Sequence, residues 1–266
     1  MAKQKGFIKL KGSLGGLTFY ESGGNSIVKT TGGIDKSRIY SDPNFKRTRE
    51  NMSEFGASAT VGKALRQGFS SIIKNIKDST ITGRITGIMK RINSLGSGLR
   101  GRREFEILDH GEVLEGFEFN SKVPLSTVFY PAYAAPTLDA NRSIATWEVP
   151  DFNASNFLRP PEGATHFKLI LVSTVLSNYT YIADLKRYEP VATDENKVNG
   201  IAYSNAFSIV GEVGADTTLT VDLSFSSMLP NTVGVIVATG ILFYQQINTE
   251  LYELSSTNAM RISVVG

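Results

Sequence analysis

The sequence predicts an α+β protein in three parts. Gly-rich β-strands occupy residues 1–33, a two-helix basic segment with its linker occupies 34–103, and an acidic antiparallel β-sandwich occupies 104–266. Three observations carry this prediction. Apolar residues alternate with a period of two near the N-terminus, recur every three or four residues through the middle, and return to a period of two afterwards. Glycine and proline clusters punctuate those changes. The charge also divides: residues 1–105 hold 20 Lys+Arg against 7 Asp+Glu, and residues 106–266 hold 8 against 18.

In the first part, Gly6–Lys11, Leu17–Glu21 and Ser26–Thr31 alternate as strands do, separated by Gly15-Gly16 and Gly23-Gly24-Asn25. Such turns need residues that accept positive φ. Three short strands bury too little apolar surface to stand alone. Phe7, Ile8, Leu10, Leu17, Phe19, Tyr20, Ile27 and Val28 are therefore the expected assembly residues, paired with or packed on a neighbouring subunit.

The helical part starts at Asp42-Pro43, a capping carboxylate followed by a residue preset for the first helical position. Met52, Phe55, Ala59, Gly62, Leu65 and Phe69 form one apolar stripe, rich in small neighbours, with a break expected near Gln67-Gly68. A second stripe, Ile81, Ile85, Ile88, Ile92 and Leu95, predicts a helix ending at Gly96. Gly83 and Gly87 inside it cost roughly 1 kcal/mol each relative to Ala, so close packing is their expected purpose.

The third part reads as β. Glu104–Leu108 and Glu112–Phe119 flank Asp109-His110-Gly111 as a hairpin would. Seven further candidates follow: Leu125–Tyr130, Ile144–Val149, His166–Ser173, Tyr179–Leu185, Thr217–Leu223, Val233–Tyr244 and Met260–Val265. With Trp147 on the second and no helix between them, they predict a sandwich of immunoglobulin or fibronectin III type. The stretch around Trp147 resembles the Trp-bearing strand of fibronectin-like domains.

No catalytic signature stands out, and the chain is expected not to be an enzyme. Gly96-Ser-Gly98-Leu-Arg-Gly101 has dinucleotide-site spacing but follows a helix instead of a strand, so it reads as a linker. His110 and His166 lack ligand spacing, no Gly-x-Ser-x-Gly elbow exists, and Asp194-Glu195 falls in a solvated loop. Without cysteine there are no disulfides or thiolate metal sites. No cofactor or small-molecule substrate is expected. Lysines interrupt the N-terminus too often for a signal peptide, and no window approaches the ~20 apolar residues of a membrane span. The expectation is a product made in the cytoplasm, without a membrane partner, and incorporated into a virion or other particle.

The basic residues are the expected contact surface: Lys46, Arg47, Arg49, Lys63, Arg66, Lys90, Arg91, Arg100, Arg102 and Arg103. They suit three settings: a solvated face, the phosphates of a nucleic acid, or the acidic half of the next subunit. Between residues 56 and 104 Phe69 is the one aromatic, which argues against single-strand binding by stacking.

The opening Gly-Phe-Ile-Lys-Leu-Lys-Gly-Ser-Leu-Gly-Gly-Leu-Thr-Phe-Tyr and the later Asp-Pro-Asn-Phe-Lys-Arg-Thr-Arg-Glu-Asn-Met-Ser-Glu-Phe-Gly resemble a family of uncharacterised Bacteroidetes proteins. The resemblance covers roughly the first 70 residues and implies a bacterial or phage origin and the segment boundaries. It implies no site residues. Together these features predict a self-assembling structural protein, the subunit of a phage-like particle, coat, tube or filament, forming a homo-oligomer or polymer by head-to-tail contacts of basic and acidic halves. A nucleic-acid-binding architectural protein is the alternative, and a β-sandwich adhesin or ligand-binding module the second.

Overall fold

Gly15, Gly16, Gly23 and Gly24 all have positive φ (56°, 76°, 55° and 74°), as two-residue hairpin loops require. In the computed structural model, which describes residues 2–30 and 32–266, they help build a four-stranded antiparallel sheet. Its strands are Ala2–Lys3 (β1), Gly12–Leu14 (β2), Leu17–Ser22 (β3) and Asn25–Thr30 (β4), ordered β1-β4-β3-β2. Thr31, expected at the end of the last strand, lies outside the described residues. The expected strand Gly6–Lys11 is absent. β1 and β2 occupy opposite edges of the sheet, so residues 4–11 must cross its width and cannot join its ladder. Phe7, Ile8 and Leu10 consequently sit on a loop. Lys36–Ser41 (α1) follows, capped by Asp35, which accepts from the Ser37 N–H at 2.7 Å.

The chain divides into two compact units, residues 1–49 and 50–266, with the boundary inside the helix Lys46–Gly68 (α2). Asp42 and Pro43 act as the sequence predicts. The Asp42 carboxylate accepts from Asn44 N–H at 2.9 Å and opens a 3₁₀ turn that runs into α2. Ser70–Ile73 (α3) and Ile81–Leu95 (α4) complete the helices of the segment, one more than the two expected after residue 43.

The second unit is mixed α/β and strand-rich, with all its sheets antiparallel. Its small elements are Thr137–Leu138 (β5) and Ala154–Phe157 (α5); Ile144–Val149 (β6) lies between them. Then come His166–Ser177 (β7), Tyr179–Ile182 (β8), Arg187–Pro190 (β9), Asn199–Tyr203 (β10), Phe207–Ser208 (β11), Thr217–Asp222 (β12), Val233–Ile247 (β13), Glu250–Glu253 (β14) and Ala259–Val265 (β15). The large sheet runs β10-β7-β13-β14, with β11 also on β7 and β15 also on β13; a smaller sheet runs β12-β6-β5.

Alternation along β7 and β13 builds a core on each face of the large sheet. Ile170, Val172, Leu176, Ile236, Ala238 and Leu242 join Val61, Leu65, Ile85, Met89 and Ile92 of the helices. Their odd-numbered neighbours Leu169, Leu171, Val175, Val235, Val237 and Ile241 join Trp147, Leu219 and Val221 of the smaller sheet. A strand buried on both faces reads as a continuous apolar run, which is why Val233–Tyr244 was legible as one strand. In β15 the register skips Ser263, since Val237 pairs with Val264 and Ala238 with Ile262. That bulge reverses the facing of the strand beyond it.

Several sequence expectations are corrected. The hairpin over residues 104–119 is absent. Its apolar residues Phe105, Ile107, Leu114, Phe117 and Phe119 are buried, but no ladder joins its two arms: Phe117 N–H donates within a local turn to the Leu114 carbonyl, and Phe105 and Phe119 bond distant residues. Phe105 exchanges bonds with Tyr179, and residues 116–119 cover β15 through Ile262 and Met260. Leu125–Tyr130 begins with a 3₁₀ turn rather than a strand. On α2 the inner stripe is Glu54, Ala57, Ser58, Val61, Gly62 and Leu65, so Met52, Phe55 and Ala59 face outward. Gly62 does serve close packing: a Cβ there would stand 3.0 Å from Ile85 Cγ2. Gly83 and Gly87 do not, because a Cβ at either would meet open space.

Candidate assembly surfaces

The small N-terminal sheet is amphipathic by register. Phe19 lies opposite Val28 and Gly12, and Leu17 lies opposite Leu14 and Thr30. Ala2, opposite Val28, shares their face. Because side chains alternate, Lys3, Thr18, Tyr20, Ile27 and Lys29 occupy the other face, and the Lys29 ammonium stands 5.6 Å from the centre of the Tyr20 ring. No described residue between 2 and 49 is buried. Phe19, Tyr20, Ile27 and Val28 are half-buried, whereas Leu17, Leu10 and Ile8 are exposed and Phe7 is 96% exposed.

The crossing loop is closed at its base. Leu10 N–H donates to Gln4 Oε1 at 2.9 Å, Gln4 Nε2 donates to the Leu10 carbonyl at 3.2 Å, and Lys9 Nζ donates to the Gln4 carbonyl at 2.5 Å. A further bond from Gln4 N–H to the Ser26 carbonyl (2.9 Å) ties that base to β4. The side chain of Gln4 thus imitates a strand rung, leaving Phe7 and Ile8 at the tip. Sequence reasoning missed Gln4; its signal is a lone amide between lysines, the one side-chain acceptor between residues 2 and 12.

The basic residues do not form one free surface. Lys46, Arg47, Lys63 and Arg91 are exposed. Arg49 donates to the Ile39 and Asp42 carbonyls at 2.7 and 2.9 Å, joining α1 to the turn before α2. Arg66 is half-buried, and its Nε is shut away from both solvent and a hydrogen-bond acceptor. Arg102 lies over the Tyr181 ring at 4.9 Å. Arg100 reaches Asn51 Oδ1 at 3.0 Å and Glu50 at 3.8 Å.

Lys90 and Arg103 converge on Glu54, the residue that sequence reasoning most clearly missed. Glu54 is 1% exposed on the inner face of α2. Its carboxylate accepts from the Gly101 N–H at 2.7 Å, is ion-paired to Lys90, and lies 3.9 Å from Arg103. Buried Asn93 of α4 extends the network, accepting from Lys90 and donating to the Arg103 carbonyl at 2.8 Å. Burial opposes ionisation of Glu54, but the bonds from Lys90 and Gly101, with the nearby Arg103, outweigh it and hold the carboxyl below its ordinary range. The glycines of residues 96–101 therefore shape a loop anchored on α2. Glu54 lies three residues before Ala57 and seven before Val61, a helical spacing that marks it as inward-facing.

Among the described residues no group of three or more His, Cys, Asp or Glu is placed to hold a metal ion, and no helix is long and apolar enough to cross a membrane. Comparison with protein-family models, with curated proteins and with solved structures yields no match.

Proposed function

We propose that this chain is a self-assembling structural subunit, of the kind that builds a coat, tube, filament or phage-like particle. One observation carries the reading. The first unit contains no buried described residue and exposes Phe7, Ile8, Leu10, Leu14 and Leu17, although strand pairing groups apolar side chains on one face. A sheet of this size gains its stability from a surface that covers it, and exposed apolar patches mark interaction sites. Homo-polymerisation supplies that cover once per subunit. The commitment of Lys90, Arg100 and Arg103 to Glu54 and Glu50 favours this reading over a phosphate-binding helical surface. The finer fold assignment belongs to the same proposal: Trp147 between two stacked antiparallel sheets supports kinship with immunoglobulin or fibronectin III sandwiches.

The test is sedimentation and negative-stain microscopy of the full chain beside a chain lacking residues 1–33. The full chain is expected to form regular particles free of nucleic acid, and the shortened chain to be a folded monomer. A full chain that stays monomeric at all concentrations and salt levels refutes the reading.

A further inference from the structure

The second unit carries a surface whose chemistry is the complement of the N-terminal tip. Residues 198–260 contain no Lys or Arg but five Asp/Glu, and residues 143–158 contain none of the basic pair but Glu148 and Asp151. The fold brings these two stretches together. β12 pairs with β6 along its length, setting Thr218 opposite Glu148, and the backbone N–H of Asp151 donates to Asp216 Oδ1 at 2.8 Å. Glu212 accepts from Asn153 Nδ2 at 2.8 Å, and Glu148, Asp151, Glu212 and Asp216 are all exposed. Between the edge strands of the two sheets, β10 and β11 on one side and β12 on the other, lies a cleft of about 330 Å³ lined by Tyr203, Phe207, Ala215, Asp216, Thr218 and Leu219. Ser204, Asn205 and Thr217 share that lining with the rings of Tyr203 and Phe207, and Asp216 is the charged residue in it.

The tip at Phe7-Ile8 carries the opposite charge. Lys3, Lys5, Lys9 and Lys11 flank it, and no acidic residue occurs before Glu21. Lys11 faces Glu21 at 2.8 Å, and Lys9 is held by the Gln4 carbonyl, a bond that orients its charge without cancelling it. The Gln4–Leu10 closure orders the loop in advance, so docking it carries a smaller entropic cost.

We infer that the Phe7-Ile8 tip of one copy enters the Tyr203–Phe207–Leu219 cleft of a second copy, with the flanking lysines toward Asp216. The contact presupposes the assembly proposed above and specifies its partner surface. It joins two different patches and is therefore heterologous, which produces rings where the rotation closes and filaments where it does not. The apolar tip provides the anchor, and the opposed charges set orientation and salt sensitivity.

The absence of cysteine makes the contact directly measurable. A full-length Ile8→Cys chain is mixed under mild oxidation with a Thr218→Cys chain, and separately with a Ser94→Cys chain bearing its thiol on exposed α4. Preferential cross-linking of the Ile8→Cys and Thr218→Cys chains is expected. Phe7→Ser is expected to weaken association about tenfold or more, and Lys5→Glu to weaken it with partial recovery when combined with Asp216→Lys. If the unmodified chain assembles but cross-linking is no faster to Thr218→Cys than to Ser94→Cys, the inferred contact is overturned while the assembly reading stands. If the unmodified chain does not assemble at all, both fall. Loss of binding to phosphatidylserine vesicles by Phe7→Ser, with assembly unchanged, would assign the loop to a membrane surface and overturn the contact.

Discussion

Replacing Glu54 by Gln tests whether the buried ion network holds the linker 96–103 onto the helices. The substitution preserves shape but removes a charge that is 1% exposed, and it turns a donor nitrogen toward either the Gly101 N–H or the Lys90 ammonium. Breaking a fully buried pair from one side costs about 3–5 kcal/mol. Here the Lys90 side chain is 31% exposed and recovers some hydration, so a loss of about 2–3 kcal/mol is expected. For a unit of this size that corresponds to a fall of roughly 4–12 °C in Tm. The pH dependence carries the sign. The ionised form of Glu54 is favoured in the folded protein, so its contribution is present above the ordinary value of 4.5 and is lost as pH falls through the lower folded value. Urea unfolding at pH 7 and at stepped pH down to the acid range reads both effects. Glu54→Gln should lose stability at pH 7 and lose part of the acid-induced slope. A change below about 0.5 kcal/mol at pH 7, or an unaltered slope, would show that the network contributes no net stability and refute the reasoning.

Two further substitutions probe the helix packing. Gly68→Ala places a Cβ against the Thr174 side chain, itself held by a bond to the Val198 carbonyl at 3.1 Å, and should cost about 1–3 kcal/mol in thermal or urea unfolding. Gly83→Ala and Gly87→Ala meet open space on α4 and should each stabilise by about 0.5–1 kcal/mol in the same assay. Asp78→Asn should destabilise by about 1–3 kcal/mol, because its carboxylate accepts from Thr80 N–H, from Arg84 and from Ser121 N–H at 2.7, 2.6 and 2.9 Å. Burial opposes the charge of Asp78, but these bonds prevail and depress its pKa, so the penalty of Asp78→Asn is full above the ordinary value of 3.8 and shrinks as pH falls below it.

Legibility followed how directly each element advertises its surroundings. β6 and β12 alternate with one face inward, and β13 is apolar throughout, so their periods revealed them. The Asp42-Pro43 start and the Gly96 end of α4 are local signals and were readable for the same reason. The failures share a cause, which is that the deciding interaction lies far away in sequence. On α2, hydrophobic counting selects Met52 and Phe55, yet the inner position belongs to Glu54 because Lys90, Arg103 and Gly101 are waiting for it. Residues 104–119 alternate as a hairpin does, but their partners are Tyr179, Met260 and Ile262. β10 went unnoticed because Asn-Gly-Ile-Ala-Tyr is weak as a strand and is held by its pairing with β7. On the candidate surfaces, the residue types were legible as apolar strands and basic helices. Which lysines and arginines remain exposed was not, since that depends on the acidic residues folded against them.

Taken by sequence, about half of the positive charge lies in residues 50–105, which hold 10 Lys+Arg against 4 Asp+Glu. Three of those four acids are engaged at short range: Glu50 with Arg100, Glu54 with Lys90 and Arg103, and Asp78 with Arg84. Charges paired this closely contribute little to the field beyond a Debye length of about 8–10 Å. Residues 1–49, by contrast, hold 10 Lys+Arg against 3 Asp+Glu, and residues 50–266 hold 18 against 22. By compact unit the net is therefore positive for the first and slightly negative for the second, although residues 50–105 by themselves stay net positive and the sign along the chain changes only at the start of the β-rich part. In the assembly proposed above, attraction between copies would draw on the N-terminal lysines and on the acidic residues of the Lys-free, Arg-free stretch 198–260. Arg84, Arg100 and Arg103, by contrast, are paired with acids of their own chain.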